Sequence, residues 1–302
     1  MELVDRYEGS LLGLACGDAV GTAVEFCPPG TFPRVTGMKG GGPFDLAPGQ
    51  WTDDTSMALC LAESLLACEG FDASDQMRRY VNWWQWGYLS STGECFDIGA
   101  TVASALRRFV DTGDAFSGSS DPSTAGNGSL MRLVSVVLYF YPCREDVVRF
   151  AADSSRTTHA APEAVECCQL LGLAIARALS GASKTELLDM GDFAASEYRV
   201  AAIAKGDYLG KSSDKIRGSG YCVASLEAAF WCFARTETFA DAVLEAVNLG
   251  DDADTTAAIT GQLAGAHYGV DSIPPEWLAN LHMREDIKKT ARALCERARA
   301  PA

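Results

Sequence analysis

The chain is short of basic residues, and this limits what it can bind. It has 25 lysines and arginines against 40 aspartates and glutamates, so its net charge is −15 at pH 7. General nucleic-acid binding needs a basic face, and this balance therefore argues against it. It leaves room for a ligand that carries phosphate, because bound cations and helix N-termini supply local positive potential.

Signals for secretion or membrane insertion are also missing. Residues 1–5 lack a basic region followed by an apolar one. The apolar stretch from Leu11 to Phe26 is interrupted by Asp18 and Glu25, whereas a membrane span needs about 20 apolar residues. We therefore expect a cytoplasmic protein without a membrane partner.

Paired cysteine motifs are absent, since none of the eleven cysteines has CxxC spacing. Cysteine inside an apolar helical run acts as a small hydrophobic residue. Four cysteines lie in such runs: Cys60, Cys68, Cys168 and Cys232. The chain is not a short secreted module held by disulfides, so we expect reduced thiols.

Strand-like alternation is hard to find, and apolar residues recur at helical spacing nearly throughout. The pattern predicts an all-α fold with helices over 5–24, 54–69, 74–88, 98–112, 128–140, 144–154, 161–180, 183–196, 219–235, 238–249, 253–268 and 275–299. Two segments rich in turn-forming residues, 27–51 and 114–126, are predicted to be loops. Neither resembles an inter-domain linker, so we expect a single domain over residues 1–302.

The first predicted helix carries a stripe of glycines at four-residue spacing: Gly9, Gly13, Gly17 and Gly21. Glycine inside a helix costs about 1 kcal/mol per site, so four on one face need a structural reason. Close approach to the backbone of a second helix would supply it. We therefore expect this helix to be central to the fold.

Two acidic clusters carry most of the functional information. The first is WTDDT at 51–55 and the second is GDDADT at 250–255, and each opens a predicted helix. Either cluster alone is typical of a helix N-cap, where Thr and Asp are preferred. However, Asp251, Asp252 and Asp254 exceed what one cap uses, and adjacent carboxylates repel each other unless a cation binds them. Because clustered oxygens suit Mg²⁺ and Mn²⁺, we interpret the clusters as halves of one metal site.

A set of short motifs, in this order along nearly the whole chain, resembles the ADP-ribosylglycohydrolase superfamily. The motifs are GLACGDA at 13–19 followed by Glu25, WTDDT at 51–55, DIG at 97–99, GNGSLMR at 126–132, TH at 158–159, GSGY at 218–221 and DADT at 252–255. The superfamily includes an enzyme that removes ADP-ribose from an arginine of dinitrogenase reductase. No single motif is decisive, but their shared order is specific.

The resemblance implies an all-helical, orthogonal multi-helix bundle with a binuclear metal site in a central cleft. The ligands of two Mg²⁺ or Mn²⁺ ions would be Thr52, Asp53, Asp54, Asp252, Asp254 and Thr255. Carboxylates at helix N-termini are expected to stay ionised as ligands, because the helix dipole favours that form. Where many members have glycine, this chain has Asp251, which either caps the helix, adjusts metal affinity or points to solvent.

Two further acids are candidates for catalysis. By itself Glu25 is typical of a surface residue at a helix end, and Asp97 is typical of an N-cap. The resemblance implies instead that Glu25 lies beside the metals and positions or activates water. It implies that Asp97 lies at the scissile ribose, in a catalytic or substrate-contacting role.

The glycine-rich run at 126–129 and a lone histidine are candidates for substrate binding. Clustered glycines at a helix start can present backbone N–H groups to phosphate, although ordinary turns look the same. A lone histidine is more often structural than functional. The resemblance implies contacts to the pyrophosphate or ribose from Asn127, Gly128, Ser129, Met131, His159 and Tyr221.

The resemblance therefore implies a metal-dependent hydrolase that removes mono-ADP-ribose from protein arginine side chains. The segment 97–99 favours the arginine linkage, and the partner would be an ADP-ribosylated protein or another ADP-ribose conjugate. Serine, nucleic-acid and small-molecule linkages remain open. A binuclear metal phosphoesterase and a non-catalytic ADP-ribose-binding protein also remain open.

Overall fold

Helices dominate the fold in the computed structural model, which describes residues 1–299. Their bounds are Leu3–Gly21 (α1), Asp53–Ala67 (α2), Ala73–Trp86 (α3), Ala100–Thr112 (α4), Val134–Phe140 (α5), Arg144–Arg156 (α6), Pro162–Leu179 (α7), Lys184–Leu188 (α8), Tyr198–Ala204 (α9), Cys222–Arg235 (α10), Phe239–Val247 (α11), Ala253–Tyr268 (α12), Pro275–Asn280 (α13) and Arg284–Arg299 (α14). Within residues 1–299 there is no β-strand, only isolated bridges between single residues. The all-α prediction is confirmed.

Helices α1 and α12 pack with their backbones in direct contact. A β-carbon added at Gly13 would lie 2.5 Å from the carbonyl oxygen of Gly261, and one at Gly9 would lie 2.4 Å from that of Gly265. Such distances leave room only for hydrogen atoms, so the glycine stripe is required by the contact. The prediction that α1 lies close to a second helix backbone is confirmed.

This helix pair is buried along most of its length, which is typical of helices that are apolar on every side. In α1 every residue from Tyr7 to Gly21 is buried, and in α12 every residue from Ala253 to Ala266 is buried. The C-terminal Gly21 lies against the N-terminal turn of α12, because a β-carbon added there would be 2.3 Å from the Cα of Asp254. The end of α1 is thereby fixed beside the second acidic cluster.

Three predicted helix boundaries are wrong. The helix expected over 128–140 begins only at Val134, since residues 128–133 form turns. The helix expected over 183–196 ends at Leu188, and a further helix, α9, was not predicted. The helix expected over 275–299 is split, because the backbone N–H of His282 donates to the carbonyl of Gly49 (2.9 Å) and Met283 has a φ of +51°.

Three of the four cysteines that were expected to act as small hydrophobic residues are buried. Cys60, Cys168 and Cys232 are buried free thiols. The expectation that Cys68 acts as a small hydrophobic residue is wrong, because Cys68 is exposed at the C-terminal end of α2. Within residues 1–299 no helix combines the length and apolar character that crossing a bilayer requires.

Candidate metal centre and substrate cavity

The two acidic clusters, about 200 residues apart in sequence, meet at the N-terminal ends of α2 and α12. The Thr52 hydroxyl lies 3.1 Å from Oδ2 of Asp54 and 3.3 Å from Oδ2 of Asp254, and the Thr255 hydroxyl donates to Oδ2 of Asp54 at 3.3 Å. Neither Thr52 nor Asp252, the two N-cap residues, makes a side-chain capping hydrogen bond. The helix-capping alternative therefore does not account for these residues.

Asp18, in the last turns of α1, connects this centre to the helix pair. It is fully buried, and carboxylate oxygens of Asp18, Asp54 and Asp254 lie within 4.8 Å of one another. Its Oδ1 accepts hydrogen bonds from the backbone N–H (2.9 Å) and hydroxyl (3.0 Å) of Thr52. Its Oδ2 accepts from the backbone N–H (3.1 Å) and hydroxyl (2.6 Å) of Thr55.

Asp18 is part of the GLACGDA motif at 13–19, but the sequence pattern did not assign it to the site. The signal was present, since a carboxylate inside an apolar, glycine-striped helix has no access to water. Both of its oxygens are engaged by the first turn of α2, so it holds that turn in place. It also fixes the direction in which the threonine hydroxyls offer their lone pairs.

A second group of carboxylates lies beside the first and shares a member with it. Oxygens of Glu25, Asp97 and Asp254 lie within 4.8 Å of one another. Glu25 follows a short 3₁₀ turn at the end of α1, and Asp97 precedes α4. Asp97 has a φ of +58°, a strained conformation for a non-glycine residue of the kind found at functional sites. Gly99, not Asp97, is the N-cap of α4.

Burial and mutual repulsion favour the protonated forms of these acids. Burial first, then the Asp97 carboxylate, raises the pKa of Glu25 to about 10. Burial first, then Asp18, raises the pKa of Asp97 to about 7. Burial followed by neighbouring carboxylates also raises the pKa values of Asp53, Asp54 and Asp254. In the metal-free protein, desolvation and repulsion therefore outweigh the helix dipoles. That these groups stay ionised as metal ligands remains a prediction.

The centre has the features of a cation site. Three carboxylate oxygens are buried without any hydrogen-bond partner: Glu25 Oε2, Asp54 Oδ1 and Asp254 Oδ1. Within residues 1–299, no lysine or arginine forms an ion pair with these acids. A bound cation would satisfy the unpaired oxygens and reverse the repulsion that raises the pKa values. The donors are all oxygen, which suits hard divalent ions.

A cavity of about 670 Å³ opens above the centre. Carboxylates line one side of it, namely Glu25, Asp53, Asp97, Asp251 and Asp252. The rest of the lining includes the 126–128 loop together with Met131 and His159. This volume suits a ligand the size of a dinucleotide fragment.

Asn127 links the glycine-rich loop to the acidic centre. Its amide Nδ2 donates to Oδ2 of Asp252 at 2.6 Å and to the hydroxyl of Ser225 at 2.9 Å. Its backbone N–H donates to the carbonyl of Gly220 at 3.0 Å. The glycine-rich loop is thus held at a fixed distance from the acidic centre.

His159 packs against the 126–128 loop and leaves no space for side chains at its glycines. A β-carbon added at Gly128 would lie 2.8 Å from its Cε1, and one added at Gly126 would lie 3.3 Å from its Nε2. Burial, with a smaller contribution from Arg132, lowers the pKa of His159 to about 3. The imidazole is therefore neutral at physiological pH.

Two of the predicted substrate contacts do not line the cavity. Ser129 is buried behind the wall, where it accepts a hydrogen bond from the hydroxyl of Ser155 at 2.8 Å. The Tyr221 hydroxyl donates to Oε2 of Glu163 at 2.6 Å, away from the loop. Tyr221 supports the loop through its main chain, which forms an isolated bridge with Gly126.

Asp251 lies at the rim and lines the cavity without capping α12. Its φ is +54°, which explains why glycine suits this position in similar sequences. Two backbone hydrogen bonds hold it against the turn after Glu25, from Phe26 N–H to the Asp251 carbonyl (2.7 Å) and from Asp251 N–H to the Cys27 carbonyl (2.8 Å). Its main chain therefore fixes the turn that positions Glu25.

Comparison with known proteins agrees with the motifs and the geometry. The model of the ADP-ribosylglycohydrolase family matches residues 1–302. The chain belongs to this family. A solved structure described as an ADP-ribosylglycohydrolase-related protein complex superimposes with a TM-score of 0.89 at 44% sequence identity, covering 98% of this chain and 99% of that one. The fold is that of an ADP-ribosylglycohydrolase.

Curated members of the ADP-ribosylglycohydrolase family are similar over almost the whole chain. An ADP-ribosylarginine hydrolase of Pseudomonas putida (strain GB-1) is 46% identical over 297 residues, which are 98% of this chain and 80% of that protein. The ADP-ribosyl-[dinitrogen reductase] glycohydrolase of Rhodospirillum rubrum is 33% identical over 96% of this chain and 95% of that protein. The chain is thus an enzyme of the glycohydrolase class by family membership.

Proposed function

We propose that this enzyme hydrolyses the bond between ADP-ribose and an arginine side chain of a modified protein. The observation that carries the proposal is that Glu25 and Asp97 both lie beside Asp254 of the acidic centre and both line the cavity. A relative that is 46% identical is named an ADP-ribosylarginine hydrolase, which supports the arginine linkage over the serine, nucleic-acid and small-molecule alternatives.

Two divalent cations, Mg²⁺ or Mn²⁺, are the proposed cofactors. The proposed ligands are Thr52, Asp53, Asp54, Asp252, Asp254 and Thr255. Two ions are favoured because Mg²⁺ is usually held by only one or two carboxylates, whereas four of the proposed ligands are carboxylates, Asp53, Asp54, Asp252 and Asp254. When bound, the cations would orient the ribose hydroxyls and lower the pKa of a water molecule.

The proposed role of Glu25 and Asp97 is to move the proton. Glycoside hydrolysis ordinarily uses two carboxyl groups beside the scissile bond, one to donate and one to accept a proton. Glu25 has the more strongly raised pKa of the two, so it holds a proton in the metal-free protein while Asp97 ionises first. Their proximity lets one proton be shared between them.

The rest of the ADP-ribose is proposed to bind the part of the cavity lining formed by the 126–128 loop, Met131 and His159. Asn127, Gly128, Met131 and His159 are the proposed contacts for the pyrophosphate and the nearby ribose. The side chains of Ser129 and Tyr221 are proposed to act indirectly, by holding the loop. The proposed partner is an ADP-ribosylated protein in the cytoplasm, and residues 1–302 are proposed to act as one domain, since both halves of the chain contribute to the centre.

A panel of ADP-ribose conjugates tests this function. Arginine-linked and serine-linked substrates are incubated with Mg²⁺, with Mn²⁺ and with a chelator, and the products are separated. We expect free ADP-ribose from the arginine-linked substrate, and only with metal. Release of AMP and ribose phosphate would instead identify a phosphoesterase, and binding without turnover would identify a non-catalytic protein.

A further inference from the structure

Arg132 is a fully buried cation without a counter-ion. Within residues 1–299 it forms no ion pair with any carboxylate. It donates from Nη1 to the carbonyl of Gly128 (2.9 Å) and from Nη2 to the hydroxyl of Thr158 (2.7 Å) and the carbonyl of Ser154 (3.4 Å). Burying a charge is costly unless it is paired, so its position needs a reason beyond packing.

The contact with Thr158 determines which nitrogen of His159 carries the proton. A guanidinium can only donate, so the Thr158 hydroxyl accepts from Arg132. Among residues 1–299 that hydroxyl has no other acceptor for its own proton, and it lies 2.8 Å from Nδ1 of His159. It therefore donates to Nδ1, and the neutral imidazole must carry its hydrogen on Nε2.

The Nε2–H group of His159 is directed at the wall of the cavity. Nε2 is the ring atom nearest to the Gly126 β position, at 3.3 Å, and His159 lines the cavity. Within the part of the chain that the structure describes, Nε2 has no hydrogen-bond partner. It is a donor held ready for an acceptor in the cavity.

The contact with Gly128 orients a second set of donors. Its carbonyl points back to Arg132, and because the peptide is planar and trans, the N–H of Ser129 points the opposite way. Among residues 1–299, the backbone N–H groups of Gly128 and Ser129 have no acceptor. Successive unpaired N–H groups of this kind form an anion-binding nest.

We infer that Arg132 is the positioning residue of this wall: through Thr158 and Gly128 it fixes the His159 Nε2–H and the loop N–H groups as donors to the diphosphate of the substrate. It does so without touching the ligand, and its charge adds positive potential behind a cavity whose lining includes five carboxylates. The inference rests on the proposed function, which supplies ADP-ribose as the ligand.

The first test is made on the unaltered protein. Two-bond ¹H–¹⁵N correlation spectra of the Mg²⁺-loaded enzyme report which nitrogen of each histidine is protonated. We expect His159 to show the Nε2–H tautomer, uncharged, at every pH from 6 to 8, a window that lies above its lowered pKa. A protonated Nδ1 would overturn the inference whatever the variants do.

The second test compares Thr158→Val, which has the same shape and no hydroxyl, with Thr158→Ser, which keeps the hydroxyl. Loss of one charge-assisted contact is expected to weaken ADP-ribose binding and raise KM roughly tenfold in Thr158→Val. Because the contact is remote from the scissile bond, kcat should change little. Thr158→Ser is expected to restore binding, and Mg²⁺ affinity should be the same in both.

Several outcomes separate failure of the inference from failure of the proposed function. Equal effects of the two variants, or a lower kcat with unchanged KM, would overturn the role of Arg132. If Thr158→Val does not fold, the tautomer in the unaltered protein decides. If the enzyme binds ADP-ribose but does not cleave the arginine-linked substrate, the proposed function fails while the positioning role is still measured by ADP-ribose titration.

Discussion

The carboxylate of Asp18 accepts hydrogen bonds from both the backbone N–H and the hydroxyl of Thr55, at 3.1 and 2.6 Å. This contact ties the end of α1 to the first turn of α2, in which two proposed ligands lie. Asp18 is thus satisfied by the protein itself, whereas Asp54 and Asp254 each keep one buried oxygen unpaired. The difference separates Asp18, which orients the proposed ligands, from Asp54 and Asp254, which are proposed to bind the ion.

Replacing Asp18 by alanine is expected to lower Mg²⁺ or Mn²⁺ affinity roughly 10- to 100-fold, the effect seen when a partner that orients metal ligands is removed. Calorimetric titration of the metal measures this. Asp214→Asn, at an exposed surface position, is the matched control. Unchanged affinity in the Asp18 variant would show that α2 holds its ligands without help.

Asp54→Asn and Asp252→Asn are expected to lose most activity while the helices survive. Each change removes a negative charge from the centre and keeps the side-chain shape, so circular dichroism should match the unaltered protein. The assay is release of ADP-ribose at saturating Mg²⁺ and without it. Retention of normal turnover under both conditions in either variant would refute the two-metal assignment.

Stability of the metal-free protein is expected to fall as pH rises. The folded pKa values of Asp97 (about 7) and Glu25 (about 10) lie above the values near 4 of the unfolded chain. Below about pH 4 both states are protonated, so these groups cost nothing; as pH rises towards 7 and above, ionisation favours unfolding. Urea unfolding at pH 5 and pH 8 measures the slope.

Divalent metal should remove this pH dependence, because a bound cation stabilises the ionised carboxylates. The stabilisation by Mg²⁺ is therefore expected to be larger at pH 8 than at pH 5. Equal stabilisation at both pH values would show that the cation does not bind these acids.

Gly17→Ala is expected to destabilise the fold by more than about 1–3 kcal/mol, the usual cost of overpacking. The added β-carbon would lie 2.2 Å from the carbonyl oxygen of Ala257, and neither backbone can move without shifting its helix. Gly70→Ala, where nothing lies within 4 Å, is the control. Chemical denaturation of both variants measures the difference, and similar midpoints would contradict the close contact.

The parts of the molecule that depend on local pattern were predictable. Helical periodicity gave the all-α class, and the glycine stripe indicated a backbone contact before any partner could be named. The repetition of Asp and Thr at two helix starts indicated a shared site, because the second cluster holds more carboxylates than one cap uses. In each case the physical reason was contained within a few neighbouring residues.

The remaining features depend on tertiary contacts that no local pattern records. The break before α14 arises because His282 is bound to Gly49, far away in sequence. The Tyr221 hydroxyl points away from the loop because it donates to Glu163. Asp18 orients the first turn of α2 through its hydrogen bonds with Thr52 and Thr55. The raised pKa values likewise come from carboxylates that are brought together only by folding.

The seam between α1 and α12 is made of main-chain atoms, and main chain has no alternative rotamers. The separation of Asp18 from Asp254 is therefore insensitive to which side chains surround the pair. The segments 25–26, 97–99 and 126–128 border the cavity but lie outside this seam. Sequence drift in those loops can reshape what the enzyme accepts while the spacing of its proposed metal ligands stays constant.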